Sequence, residues 1–151
     1  MKNYVVGFCF DHSCDQVVLI KKTKPNWQKD RLNGVGGKLE EGETPVEAMA
    51  REYYEETGVH IPTANWIHFA ELAIVPPDAE KESPGNFIDC FCVINESEVT
   101  TTTTEEVDWY DTFKLYLKRT VPNVQWMVPM AADRLKNPHT FEKARIVYRN
   151  D

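Results

Sequence analysis

The chain has 151 residues, 42% of them apolar, and a formal net charge of -7, enough for one hydrophobic core without disulfides or structural metals, so residues 1–151 read as a single domain. The acid excess argues against a nucleic-acid surface, where a basic face supplies most of the affinity. No run approaches the roughly 18 apolar residues of a membrane span and no signal peptide is visible, so the expectation is a soluble cytoplasmic protein, monomeric or homodimeric.

Tyr4 to Phe10 and Gln16 to Lys21 are short runs rich in Val, Ile and Phe, separated by the loop residues Asp11-His12-Ser13-Cys14-Asp15, and together predict a hairpin. Lys22 to Leu32 is polar, holds Pro25 and one large aromatic, Trp27, and reads as an exposed connection. Trp27 suits a stacking or lid residue, or one packed on the rim of the core. The charge is uneven: Lys2, Lys21, Lys22, Lys24, Lys29, Arg31 and Lys38 precede a stretch from 39 to 60 with seven glutamates against Arg51 alone. A basic lip beside an acidic cluster suits a small polyphosphate bridged by divalent cations, although lysines of this kind also serve as plain solvated charge.

Gly34, Gly36 and Gly37 leave a backbone free of side chains where a carbonyl or amide must come close to metal or phosphate. Thr44-Pro45-Val46-Glu47 then forms a capping box with proline at the first helical position, and Gly58 is a helix stop, so the spacing predicts a helix from Pro45 to Thr57. Val46, Met49, Ala50, Tyr53 and Thr57 fall on its core face. Glu52, Glu55 and Glu56 stand at i, i+3 and i+4 and emerge together elsewhere. Like charges at these spacings cost about 0.2–0.5 kcal/mol per pair, and anions near a helix C-terminus cost about 0.3–1 kcal/mol more each. A cation among them cancels both, and a ligand set made only of oxygens points to Mg²⁺ or Mn²⁺ rather than zinc. Arg51 can pair with Glu55 one turn on.

Trp66 to Val75 and Phe87 to Ile94 predict two further strands, joined by a Pro-rich stretch, 76–85, that reads as a mobile loop. Thr100 to Thr104 is β-prone and leads through Glu105 and Glu106 to a short strand from Val107 to Tyr110. The region from Tyr116 to Val128 is ambiguous. Trp126 to Leu135 carries a helical pattern ending near Asn137-Pro138, and Phe141 to Tyr148 predicts a last strand. Cys9, Cys14, Cys90 and Cys92 show no pairing pattern and read as free thiols of a reducing compartment, while His12, His60, His68 and His139 lack zinc-ligand spacing. Strands with two interspersed helices imply an α/β or α+β fold with a mixed sheet, whose strand order is not readable.

Gly37, five residues, Glu43, seven residues, then Arg51-Glu52-Tyr53-Tyr54-Glu55-Glu56-Thr57-Gly58-Val59 resembles a complete box of the Nudix (MutT-like) family, hydrolases of nucleoside diphosphates linked to another group. Tyr53 departs from the smaller aliphatic residue usual there. The resemblance implies an α/β/α sandwich over essentially the whole chain, with Glu52, Glu55 and Glu56 as metal ligands, the Gly36 or Gly37 backbone completing the site, and Arg51 and Glu43 orienting it. It also implies a further glutamate on the loop before a late strand as metal ligand or base: Glu105 first, Glu106 second, either of which also reads as a solvated turn carboxylate. The base is Glu55 or Glu56 by preference.

The flanks are similar to the branch that cleanses 8-oxo-dGTP and related oxidised purine nucleotides. The stretch from Arg31 through Asn33 to Lys38 matches it, with Trp27 at a base-lining position. Asn33 on that likeness bonds the base or sugar, or else braces the glycine turn. Pro122 to Pro129, with Asn123 and Trp126 as pocket walls, also matches, and Phe87 and Ile88 are further candidates. Where that branch has two adjacent aspartates this chain has Asn123 and Val124, and Val can neither donate nor accept. ADP-ribose or another nucleoside diphosphate derivative is the alternative substrate. A noncatalytic nucleotide-binding module is the alternative of a different class.

Overall fold

The computed structural model describes residues 2–75 and 86–149; the expected loop at 76–85 lies outside them. Eight strands form one mixed sheet, in the order β3-β2-β1-β6-β5-β8, with β4 also on β1 and β7 also on β2. The strands are β1 (Lys2–Phe10), β2 (Gln16–Lys21), β3 (Leu32–Asn33), β4 (Val35–Lys38), β5 (Ile67–Val75), β6 (Asn86–Ile94), β7 (Val107–Asp111) and β8 (Ala144–Arg149). The helices are α1 (Pro45–Thr57) and α2 (Val124–Lys136).

The expected hairpin forms but pairs next to its turn, Phe10 with Val17. Beyond that point β4 takes over the edge of β1, setting Gly37 beside Val5 and Gly36 beside Val6. The other edge of β1 runs parallel to β6, β6 antiparallel to β5, and β5 parallel to β8. The glycine-rich strand that precedes α1 is therefore stitched into the middle of the sheet.

Side-chain alternation splits the core into two layers. Val6, Phe8 and Phe10 of β1 pack with Val124, Met127, Val128 and Ala131 of α2, whereas Val5 and Cys9 pack with Met49, Ala50 and Tyr53 of α1. The result is an α/β/α sandwich, with a helix burying each sheet face. Gly7 is small because α1 lies close: a Cβ there would stand 2.6 Å from Met49 Sδ. The four cysteines are free and buried, and burial pushes the Cys9 thiol up to about 11.

Helix α1 starts and stops at the residues its sequence signals name. The Thr44 hydroxyl accepts from the Glu47 amide, the Glu47 carboxylate accepts from the Thr44 amide, and Gly58 sits in the left-handed region at φ 75. Thr44→Ala removes the acceptor for the Glu47 amide and the hydroxyl's own bond to Glu47 Oε1, while the backbone amide of this residue keeps its bond to Glu47. It is expected to lower stability by about 1 kcal/mol, read as a shift in urea midpoint without a change of slope. Its buried face is Ala48, Met49, Ala50, Tyr53 and Thr57, so Ala48 takes the fully buried place expected of Val46, which is half-buried. The face is turned toward β4, and this also draws in Glu52, one turn beyond Ala48.

Three expectations need correction. Thr100 to Thr104 is no strand but an irregular segment, because its hydroxyls are committed to tertiary hydrogen bonds rather than to a ladder. The last strand begins at Ala144 rather than Phe141, and α2 begins at Val124, two residues before the expected start. No helix among the described residues is long and apolar enough to cross a membrane.

Candidate active site

The site is assembled around the Arg51 guanidinium. Its Nε and Nη2 donate to the two oxygens of Glu43 at 2.6 and 2.9 Å, Nη1 donates to Glu52 Oε1 at 2.9 Å and Glu55 Oε2 at 3.2 Å, and Nη2 also reaches the Lys38 carbonyl at 3.1 Å. Glu43 in turn accepts from the Glu40 amide at 2.8 Å. One planar fork thus locks the turn before α1, strand β4 and two carboxylates of α1 into a single geometry, which a point-charge lysine could not do.

Electrostatics leave this cluster short of positive charge. Arg51 faces Glu40, Glu43, Glu52 and Glu55, and the hydrogen bond from Arg51 holds the Glu43 carboxyl below its ordinary range. Glu52, whose side chain is only 12% exposed, is pushed up: burial is the main cause, and Glu55 and Glu56 add to it against the pull of Arg51. A further cation beside Glu52 would relieve both effects.

Gly37 makes room for that carboxylate, since a Cβ at this position would collide with the Glu52 carboxylate; one at Gly36 would strike the Val5 backbone. The donors here are carboxylate oxygens and backbone carbonyls, the chemistry of a hard divalent cation. The residues present therefore fit such an ion. Glu52, Glu55 and Glu56 do not draw oxygens within 4.8 Å of one another, however; among the described residues the trio that does is His68, Glu71 and Asp89 on β5 and β6. In that trio His68 Nε2 lies 2.9 Å from Asp89 Oδ1, without hydrogen-bond alignment, and both oxygens of Glu71 are taken by Lys143 and Arg145 at 3.0 and 3.3 Å. It is an ion-pair network separate from the helix glutamates.

A cavity of about 640 Å³ opens on the α2 side of the sheet and ends against Gly36 and Gly37. Trp27, Asn33, Ile88 and Asn123 line it, with Trp27 58% exposed at its rim. Asn33 Oδ1 accepts from the Gly34 amide at 2.8 Å, so it also braces the glycine turn. Three anticipated residues are not in the lining. Phe87 alternates with Ile88 on β6 and faces the other way, Trp126 packs against the α2 core layer, and the Lys38 side chain is exposed while its carbonyl serves Arg51.

Lys22, Arg31, Asn86 and Tyr148 line the cavity as well, and the sequence reading had no role for Asn86 or Tyr148. Arg31 Nε is buried there without a hydrogen-bond partner. The alternation of β8 marks Tyr148 as inward, but only the parallel pairing of β8 with β5 brings it here. For Glu105 the expectation is a metal ligand or base, or else a solvated turn carboxylate. Its carboxylate, 9% exposed, accepts from Lys22 Nζ at 3.1 Å and from the Thr23 amide at 2.6 Å. Burial raises its pKa most, but these contacts together outweigh it and leave the group below its ordinary range. Glu106 is exposed, and its carbonyl accepts from the Lys21 amide.

The family model described as NUDIX domain matches residues 1–149. Among solved structures, the mutator MutT protein of Bacillus halodurans is similar at TM-score 0.69 and 20% identity, with 100% of this chain and 92% of that one covered. The NUDIX domain of Shewanella oneidensis NrtR, complexed with ADP ribose, is similar at TM-score 0.72 and 14% identity, covering 88% and 87%. The dihydroneopterin triphosphate pyrophosphohydrolase of E. coli is similar at TM-score 0.62 and 18% identity, covering 87% and 92%.

Proposed function

The chain belongs to the Nudix family, and from that premise we propose that it hydrolyses a diphosphate linkage in a nucleotide, with a purine nucleoside triphosphate, oxidised or not, cleaved to monophosphate and pyrophosphate. The observation that carries this reading is the continuity of cavity and carboxylates at one glycine strand. The cavity ends against Gly36 and Gly37, and the other side of Gly37 abuts Glu52. A nucleoside seated between Trp27, Ile88 and Asn123 sends its phosphates along β4 toward Glu52, Glu55 and Glu56.

In this reading Glu52, Glu55, Glu56 and the Gly36 or Gly37 backbone hold Mg²⁺ or Mn²⁺. Such an ion, when bound, would supply charge neutralisation at the phosphate and a more nucleophilic water. Arg51 keeps Glu52 and Glu55 oriented, and Glu55 or Glu56 accepts the proton as water attacks phosphorus in line. Lys22 and Arg31 set positive charge beside the path of the phosphates. Buried free thiols suit a cytoplasmic enzyme, acting on small molecules as a monomer or homodimer.

A nucleotide panel with Mg²⁺, scored by kcat/KM, tests the substrate: dGTP, 8-oxo-dGTP, other nucleoside triphosphates, ADP-ribose and diadenosine polyphosphates. A purine triphosphate should lead, and because Val124 offers no polar contact to the base, 8-oxo-dGTP should exceed dGTP by less than about tenfold, the size of one lost hydrogen bond. ADP-ribose in first place would transfer the assignment to nucleoside diphosphate derivatives.

A further inference from the structure

Three residues of the threonine run before β7, Thr100, Thr102 and Thr103, bond to the last turn of α1. The Thr100 amide donates to the Thr57 carbonyl at 2.9 Å, the Thr102 hydroxyl donates to the Glu55 carbonyl, and the Thr101 hydroxyl accepts from the Val107 amide at 3.1 Å. Thr103 reaches a side chain: its hydroxyl donates to Glu56 Oε2 at 3.0 Å and accepts from the Glu105 amide at 3.1 Å. The amide bond occupies a lone pair of the hydroxyl and so directs its one hydrogen toward Glu56, the other acceptor, the Glu105 carbonyl, lying at 3.5 Å.

Glu56 needs such a partner. Arg51 holds Glu52 and Glu55, but no ion pair among the described residues involves Glu56, which stands in the C-terminal turn where the helix dipole opposes its charge. A free glutamate at this half-buried position still spreads over several rotamers, and ordering it for a ligand costs conformational entropy. One bond to Oε2 narrows those rotamers and leaves Oε1 open. The same segment continues into Glu105, whose carboxylate clamps Lys22 and Thr23, at the start of the loop whose Pro25, Trp27 and Gln28 wall the cavity.

From this geometry we infer that Thr103 is a positioning residue for Glu56, and that Glu105 ties that brace to the loop walling the cavity. The inference rests on the reading of Glu56 as a metal ligand. Loss of an outer hydrogen-bond partner of a ligand costs 10–100-fold in metal affinity or activity. Thr103→Val keeps shape and removes the donor, so its Mn²⁺ dissociation constant, measured by calorimetry without nucleotide, should rise at least tenfold. Its kcat should fall in parallel with KM within about threefold, and Thr103→Ser should restore both.

Glu105→Gln leaves the backbone amide on Thr103 in place. It should raise KM about tenfold while Mn²⁺ affinity without nucleotide stays within about twofold, whereas a loss of Mn²⁺ affinity would make Glu105 a ligand and overturn its bracing role. Unchanged Mn²⁺ affinity in Thr103→Val, with Glu56→Gln weakened, overturns the inference. Unchanged affinity in Glu56→Gln itself removes the metal-ligand reading beneath it. Melting temperature is followed throughout, and Thr103→Ala is read in the same way should the valine variant fail to fold.

Discussion

Glu56→Gln is expected to lower kcat by about 10³-fold or more while the protein stays folded. The substitution keeps the shape and the bond from the Thr103 hydroxyl, since the amide oxygen still accepts. What is lost is the negative charge, and with it a proton acceptor worth about 10²–10⁴, together with part of the attraction for a divalent ion. Stability should hold or rise slightly, because Glu56 has no cationic partner among the described residues and opposes the helix dipole. Glu55→Gln should show the same kinetic loss; if only one variant falls by more than about 10³, that residue is the base and the other a ligand. Steady-state rates with a purine nucleoside triphosphate, beside a thermal melt of each variant, separate these outcomes. Wild-type turnover in both would remove the α1 carboxylates from the chemistry.

Arg51→Met has the opposite character, a loss of structure that carries activity with it. Removing one partner of a buried pair costs about 3–5 kcal/mol, and the arginine here is 22% exposed, so a loss of about 2–3 kcal/mol is expected. At this chain length that corresponds to a fall in Tm of roughly 5–10 °C. The pH dependence has a definite sign. Arg51 depresses Glu43, so this contribution is complete above the ordinary carboxylate value of about 4.3 and disappears as pH falls through the depressed one. The stability gap between wild type and variant is therefore flat near neutrality and closes in acid.

Glu52 works in the other direction. Its carboxyl is raised by burial, which costs stability at neutral pH and is recovered as pH falls through the raised value. Without Arg51 that value rises further, so on acidification through it the variant should recover more stability than the wild type. Urea unfolding at pH 7, 5 and 3.5 reads all three limbs, and a gap that widens on acidification would contradict the assignment of the Arg51 contacts.

Helix α1 was legible to the residue because its signals are local: a threonine cap, proline at the first turn, glycine at the stop, and glutamates whose spacing places them without any knowledge of the fold. The Arg51 to Glu55 pair followed from the same periodicity. The Arg51 fork onto Glu43, and the fit of Glu52 against Gly37, depend on β4 lying beside β1, a pairing across the chain that no local pattern states.

The threonine run shows the reverse error. Threonine favours strands when its branched side chain packs on a pleated surface, but here the hydroxyls find α1 instead, and tertiary bonds override the propensity. The cavity was half legible. Trp27, Asn33, Ile88 and Asn123 lie in or beside recognisable stretches, whereas Asn86 and Tyr148 arrive through β6 and β8, whose neighbours the sequence did not disclose. Phe87 and Ile88 cannot face one pocket from adjacent strand positions, so the period of two already excluded one of them.

The central claim is metal-dependent cleavage of a nucleotide diphosphate linkage at the α1 glutamates, and phosphorus NMR of the reaction tests it most directly. With Mg²⁺ and a purine nucleoside triphosphate, the products should be nucleoside monophosphate and pyrophosphate, ceasing when EDTA is added and nearly absent with Glu56→Gln. Tight nucleotide binding with no cleavage of any member of the panel, or turnover indifferent to EDTA, would contradict it.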